Sequence, residues 1–166
     1  YFRGNEEDAL KLWDAVMEAG KEFNIQPAGL GCRDSLRLEM GFCLYGNDID
    51  ETTNPLEAGL GWITKLKKES FIGKEKLLSV KQEGLKRKLV PVISDEKVFP
   101  RHGYDITLDG KKIGTVTSGV VSPVIDKAIA MAYIDFPYSS EGTLVNFSVR
   151  GKEIPARVTK LPFVKK

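Results

Sequence analysis

A chain of 166 residues, 42% hydrophobic and 29% charged, has an ordinary folded composition and room for one large domain or two small ones. Its 25 basic and 23 acidic residues leave a formal charge of +2, too balanced for nucleic-acid binding by bulk charge. The longest apolar run, Ala128 to Ile134, falls far short of the roughly 18 residues that span a bilayer.

The chain opens on Tyr1-Phe2-Arg3 with no initiating Met and no signal-peptide pattern, so a truncated or processed chain with an upstream part elsewhere is expected. Asn5 followed by Glu6, Glu7 and Asp8 marks a helix start, a capping side chain ahead of acids that the macrodipole favours. Ala9, Leu12, Trp13, Val16 and Met17 then form one apolar face, with Gly20 as the stop, so Trp13 is expected in a core. Past Pro27 a second helix is expected from Leu30 to Met40, ended by Gly41. The polar stretch 46–54 reads as a solvated loop, its acids Asp48, Asp50 and Glu51 lacking the spacing of a calcium loop. Asn54-Pro55 predicts a short helix, and Ser70 caps another that runs toward Gly84.

From Lys88 the period changes to two. Short β-rich runs at 88–93, 104–108, 112–117, 127–134, 144–149 and 153–159 predict six strands. Asp109-Gly110 is a type I′ hairpin signal and Arg150-Gly151-Lys152 a looser one. Thr117-Ser118-Gly119 and Ser122-Pro123 read as small-residue turns. The expected class is α+β, an α+β part over residues 1–85 followed by a six-stranded antiparallel β-barrel over 86–166 that removes its own edges by closure. Residues 1–85 hold 11 basic and 15 acidic side chains, a net −4, whereas 86–166 hold 14 and 8, a net +6. This asymmetry reads first as two modules with different solvated faces, and alternatively as a basic barrel that steers an acidic partner or an anionic ligand. An RNA-binding barrel would need exposed aromatics among its cations; Tyr104, Tyr133 and Phe147 all fall at core positions instead.

Cys32, Cys43 and the single His102 supply no zinc set and no CxxC pair; the cysteines read as reduced thiols, with a disulfide as the alternative, and His102 as a loop histidine. The most unusual stretch is Gly29-Leu30-Gly31-Cys32-Arg33-Asp34. A cation in a helix's first turn opposes the macrodipole by about 0.3–1 kcal/mol. Arg33 therefore either pairs locally with Asp34 or aims its planar fork at a ligand carboxylate or carbonyl. Trp62, beside Gly59-Leu60-Gly61, either packs the first part or stacks on a planar ligand, and Glu57 is a lesser pocket candidate.

The ordered string of Gly29 to Glu39, Leu44 to Asp50, Pro55 to Trp62 and Phe71 to Glu75, then Arg101 to Tyr104, Gly114 to Gly119, Ser122-Pro123 and Lys160 to Phe163, resembles the glycine cleavage T-protein (aminomethyltransferase) family. The resemblance covers essentially the whole chain but only the C-terminal half of the family's length. It implies the end of a folate-binding domain followed by a β-barrel, tetrahydrofolate as substrate, lipoylated H-protein as partner, and no metal, nucleic acid or membrane. The implied reaction converts aminomethyl-dihydrolipoyl H-protein and tetrahydrofolate into 5,10-methylenetetrahydrofolate, ammonia and dihydrolipoyl H-protein. It implies bacterial cytoplasm, or the mitochondrial matrix in a eukaryote. The family's catalytic aspartate falls upstream, so no catalytic residue is assigned here and these residues alone are expected to be inactive. Arg33 matches the family's folate-contacting arginine, and Trp62 is carried over as a pocket wall. Cys32 stands where the family usually has a small residue such as Ala. The folate-binding part of dimethylglycine or sarcosine dehydrogenases, and a non-catalytic folate-binding protein, are the competing readings. Gly59-Leu60-Gly61-Trp62 and the Leu161-Pro162-Phe163 ending favour the T-protein, and the KGCxxGQE-like motif of the non-catalytic type is missing.

Overall fold

The computed structural model describes residues 3–165, so the opening Tyr1-Phe2 lies outside the described residues. The chain divides into two compact units, one up to Arg33 and one from Asp34 onward.

In the first unit, helix α1 covers Glu6–Ala19. Its start is a reciprocal capping box. The Asn5 side chain accepts from the Asp8 amide at 2.9 Å, and the Asp8 carboxylate accepts from the Asn5 amide. No residue of α1 is buried among the described residues, and Trp13 is 55% exposed, against the expectation that it sits in a core. An amphipathic pattern shows which face wants a partner, and says nothing of whether the same unit supplies one.

Helix α2, Leu30–Glu39, follows the predicted span closely. Gly41, at φ +74°, takes the left-handed conformation that ends it. Residues 55–59 form a hydrogen-bonded turn rather than the expected helix. Asn54 still acts as a cap, its Oδ1 accepting from the amides of Leu56 and Glu57 at 3.0 Å, but the turn does not propagate. Helix α3, Lys74–Glu83, is preceded by Gly73, so Ser70 is not its cap.

The six strands are β1 Arg87–Ser94, β2 Asp105–Leu108, β3 Lys111–Val121, β4 Ala128–Asp135, β5 Leu144–Val149 and β6 Lys152–Val158. They close into an antiparallel barrel in the order β1-β4-β3-β2-β5-β6, as expected. Asp109-Gly110 and Arg150-Gly151 join their strands as two-residue loops with φ positive at both residues, which the type I′ turn requires. Thr117-Ser118-Gly119 lies within β3 and is not a turn. Alternation along each strand fills the barrel with Val90, Val92, Ile106, Val116, Ala132 and Phe147, among others. The opposite faces of β1 and β4 are also covered. Leu89, Ile93, Ile129, Met131 and Tyr133 cluster there with Leu38 of α2. That two-sided burial explains why Ala128 to Ile134 reads as an unbroken apolar run.

Candidate functional site

Arg33 lies in the first turn of α2 and is exposed. Its sequence neighbour Asp34 pairs instead with Arg37. One Asp34 oxygen accepts from Arg37 Nε at 2.8 Å and from Nη2 at 2.6 Å. The local Arg33–Asp34 ion pair does not form, because an i,i+3 spacing brings side chains together on a helix and an i,i+1 spacing does not.

Arg37 is the centre of a buried polar cluster in the second unit. Its side chain is 10% exposed. Nη1 donates to Asp48 Oδ2 at 2.6 Å and to the Phe42 carbonyl at 3.3 Å, and Nη2 also donates to Ser118 Oγ at 2.9 Å. Asp48 is fully buried, correcting its reading as a solvated loop acid. Beyond Arg37 it accepts from the Leu44 amide at 2.9 Å and from Thr117 Oγ1 at 2.5 Å. The Tyr133 hydroxyl donates to the Asp48 carbonyl at 3.1 Å. Asp50 remains a loop residue, tied to the amide and hydroxyl of Thr52, whose hydrogen bonds hold its carboxyl below the usual range. Burial pushes the Tyr133 phenol up to about 12, although a hydrogen bond with Thr53 and the Arg87 charge act the other way. Arg87 lies over the Tyr133 ring, 4.5 Å from its centroid, and pairs with Glu57 at 3.3 Å.

Burial also raises the Cys43 thiol, with the Asp48 charge adding to the effect and Arg37 opposing it. Cys32 is exposed, and neither cysteine is in a disulfide. Since the thiolate is the reactive form, a thiol reagent at pH 8 is expected to modify Cys32 first and Cys43 more slowly. A mass-spectrometric time course checks this, and Cys32→Ser should leave only the slow phase.

Trp62, 74% exposed, lines a largely apolar cavity of about 680 Å³ with Leu56, Leu85, Phe136 and the cations Lys67 and Lys81. That volume lies in the range of small-molecule sites. A second, polar cavity of about 480 Å³ is lined by Asn47, Asp50, Arg87, His102 and Tyr133, among others. His102 is a loop residue whose Nδ1 faces the Thr117 carbonyl at 2.8 Å, so that nitrogen carries the proton and donates. Among the described residues no group of three or more His, Cys, Asp or Glu side chains gathers as around a metal ion, and no helix is long and apolar enough to cross a membrane.

The sequence reading singled out Arg33 and Trp62 and missed Arg37, Asp48, Thr117 and Ser118. One signal was present: Arg37 stands three residues after Asp34 on the same helix, the spacing of a helical ion pair.

Two family models match the chain: the GCVT N-terminal domain over residues 3–68 and the glycine cleavage T-protein C-terminal barrel domain over residues 87–165. The aminomethyltransferase of Halothermothrix orenii is 52% identical over 156 residues, covering 94% of this chain and 44% of the relative. That of Bacteroides fragilis is 53% identical over 159 residues, covering 95% and 44%. The crystal structure of glycine cleavage system aminomethyltransferase T from Bartonella henselae superposes with a TM-score of 0.84 at 37% identity, over 91% of this chain and 43% of that one. The chain thus spans less than half the length of the relatives it matches.

Proposed function

The chain belongs to the glycine cleavage T-protein family, and we propose that it is the C-terminal part of a tetrahydrofolate-dependent aminomethyltransferase. In that reading residues 1–85 end the folate-binding domain and 86–166 are the barrel. Family matches that stop at residue 68 and resume at 87 support the division. The whole enzyme takes the aminomethyl group from the lipoyl arm of H-protein and passes its one-carbon unit to tetrahydrofolate, releasing ammonia. It works in the bacterial cytoplasm, or in the mitochondrial matrix of a eukaryote.

Arg33 carries the reading for this chain's own residues. Its planar fork matches a carbonyl or carboxylate of the folate, and the only acid beside it in sequence is already committed to Arg37. Trp62 supplies an apolar wall for a planar ring, with Lys67 and Lys81 lining the same cavity, a charge that suits an anionic ligand. The chain's contribution is to bind and orient folate; holding reactants in place is worth several kcal/mol of a barrier. A placed acid–base group adds about 10²–10⁴ in rate, and in this reading the aspartate that provides it belongs to the rest of the enzyme.

Ammonia release from aminomethyl-loaded H-protein, with and without tetrahydrofolate, tests the proposal. A full-length enzyme whose C-terminal part is this sequence should show strong folate-dependent release, and the 166 residues alone should show none. No release by the full-length enzyme would refute the aminomethyltransferase reading. Turnover by the 166 residues would refute placing the acid–base group elsewhere. Within the full-length enzyme, Arg33→Ala should weaken tetrahydrofolate binding by about 1.5–3 kcal/mol, roughly 10- to 150-fold. Titration calorimetry reads this directly, and unchanged affinity would remove Arg33 from the folate site.

A further inference from the structure

Arg37 has five N–H donors, and its five hydrogen bonds go to Asp34 twice, Asp48, Ser118 and the Phe42 carbonyl. The Asp48 carboxylate accepts three hydrogen bonds, from Arg37, Thr117 and the Leu44 amide. The cluster ties α2 and the loop after it to β3, and through Tyr133 to β4.

The β3–β4 ladder slips register between Val116 and Ser118, a bulge centred on Thr117. In a regular strand two successive side chains face opposite sides. Here Thr117 and Ser118 are both buried, and their hydroxyls meet Asp48 and Arg37, partners that are themselves bonded to each other. A bulge re-aims a side chain at the cost of one ladder position, and this one presents two adjacent hydroxyls to a single ion pair. Packing alone would be served as well by an apolar cluster, since a buried ion pair is poor value for stability. What the fork adds is direction: its two bonds to Asp34 stay within α2, while those to Asp48 and Ser118 hold the helix at one rotational setting about its axis.

We propose that Arg37 and Asp48, seated on the Thr117–Ser118 bulge, are positioning residues that set the rotation of α2 and thereby the direction in which Arg33, one turn earlier on that helix, offers its guanidinium to folate. This rests on the reading of Arg33 as a folate contact.

The test is a double-mutant cycle in a full-length aminomethyltransferase whose C-terminal part is this sequence, with kcat and the KM for tetrahydrofolate as readouts. Arg37→Lys keeps the charge and loses the fork. It should raise the KM for tetrahydrofolate about fivefold or more while kcat changes less than about twofold. In an Arg33→Ala background the same substitution should move KM less than about twofold, because a clamp has nothing left to aim. Ser118→Ala, which removes one bond from the fork, should show the same pattern in weaker form, and it carries the test if Arg37→Lys fails to fold by circular dichroism. An unchanged KM, or an equal rise in both backgrounds, overturns the clamp and leaves the cluster purely structural. If Arg33→Ala alone leaves KM unchanged, the folate reading of Arg33 fails, which the single mutant shows independently of Arg37.

Discussion

Replacing Asp48 with Ala should destabilise the protein by about 3 kcal/mol, because it removes the fully buried carboxylate from the Arg37 guanidinium and leaves it only the half-exposed Asp34. The Thr117 hydroxyl and the Leu44 amide lose an acceptor at the same time. Urea unfolding monitored by circular dichroism measures the loss. Asp50→Ala, in the same loop but bonded only to neighbouring threonine groups, should cost much less. A second comparison separates charge from packing. Arg37→Met combined with Asp48→Leu removes both charges and should recover part of the loss, as apolar replacement of a buried pair often does. Equal effects from Asp48→Ala and Asp50→Ala would show that the buried charge is not the cause.

The second large effect is expected at Gly119. A Cβ on this residue of β3 would overlap the carbonyl oxygen of Pro100, itself fully buried. A flexible side chain could swing aside, but a backbone oxygen in a packed segment has nowhere to go. Gly119→Ala should therefore cost about 3 kcal/mol or more. Gly142→Ala is the control: its φ of +85° strains any other residue by about 1–2 kcal/mol, yet the space around it is open. A midpoint shift at Gly119 no larger than at Gly142 would rule out close approach as the main cause.

The strands were legible because a barrel strand announces itself locally. Alternating side chains and the Asp109-Gly110 and Arg150-Gly151 turns carry their own geometry, so the register of each hairpin follows from a few adjacent residues. Helix α1 was legible for the same reason, through Asn5 and Asp8. Burial of Asp48 was not, since its side-chain partners Arg37 and Thr117 stand 11 and 69 positions away and no local pattern distinguishes it from Asp50. Trp13 shows the converse error, an apolar stripe read as a core residue when a stripe specifies only a face. The expected helix after Asn54 failed because a good cap and a proline describe only a beginning. Of the candidate site, Arg33 stood out because a cation in a first helical turn is locally unfavourable. The hydroxyls of Thr117 and Ser118 were read as turn chemistry because a bulge depends on the neighbouring strand.

In the closed barrel β1, the first strand in sequence, lies beside β6, the last, and the two share only the pairs Val92 with Val158 and Ile93 with Arg157. This joint brings together the most distant pieces of the barrel sequence, where ring-closing entropy is greatest, and gains the fewest ladder bonds in return. Every hairpin can zip before it, so the seam is the step that turns a curled ribbon into a cylinder and the natural place for the folding barrier. The same adjacency brings the two ends of the barrel sequence side by side. In the barrel sequence taken without residues 1–86, a short bridge from β6 back to β1, with the chain reopened at Asp109-Gly110, would preserve every strand neighbour while making the slow joint a local one.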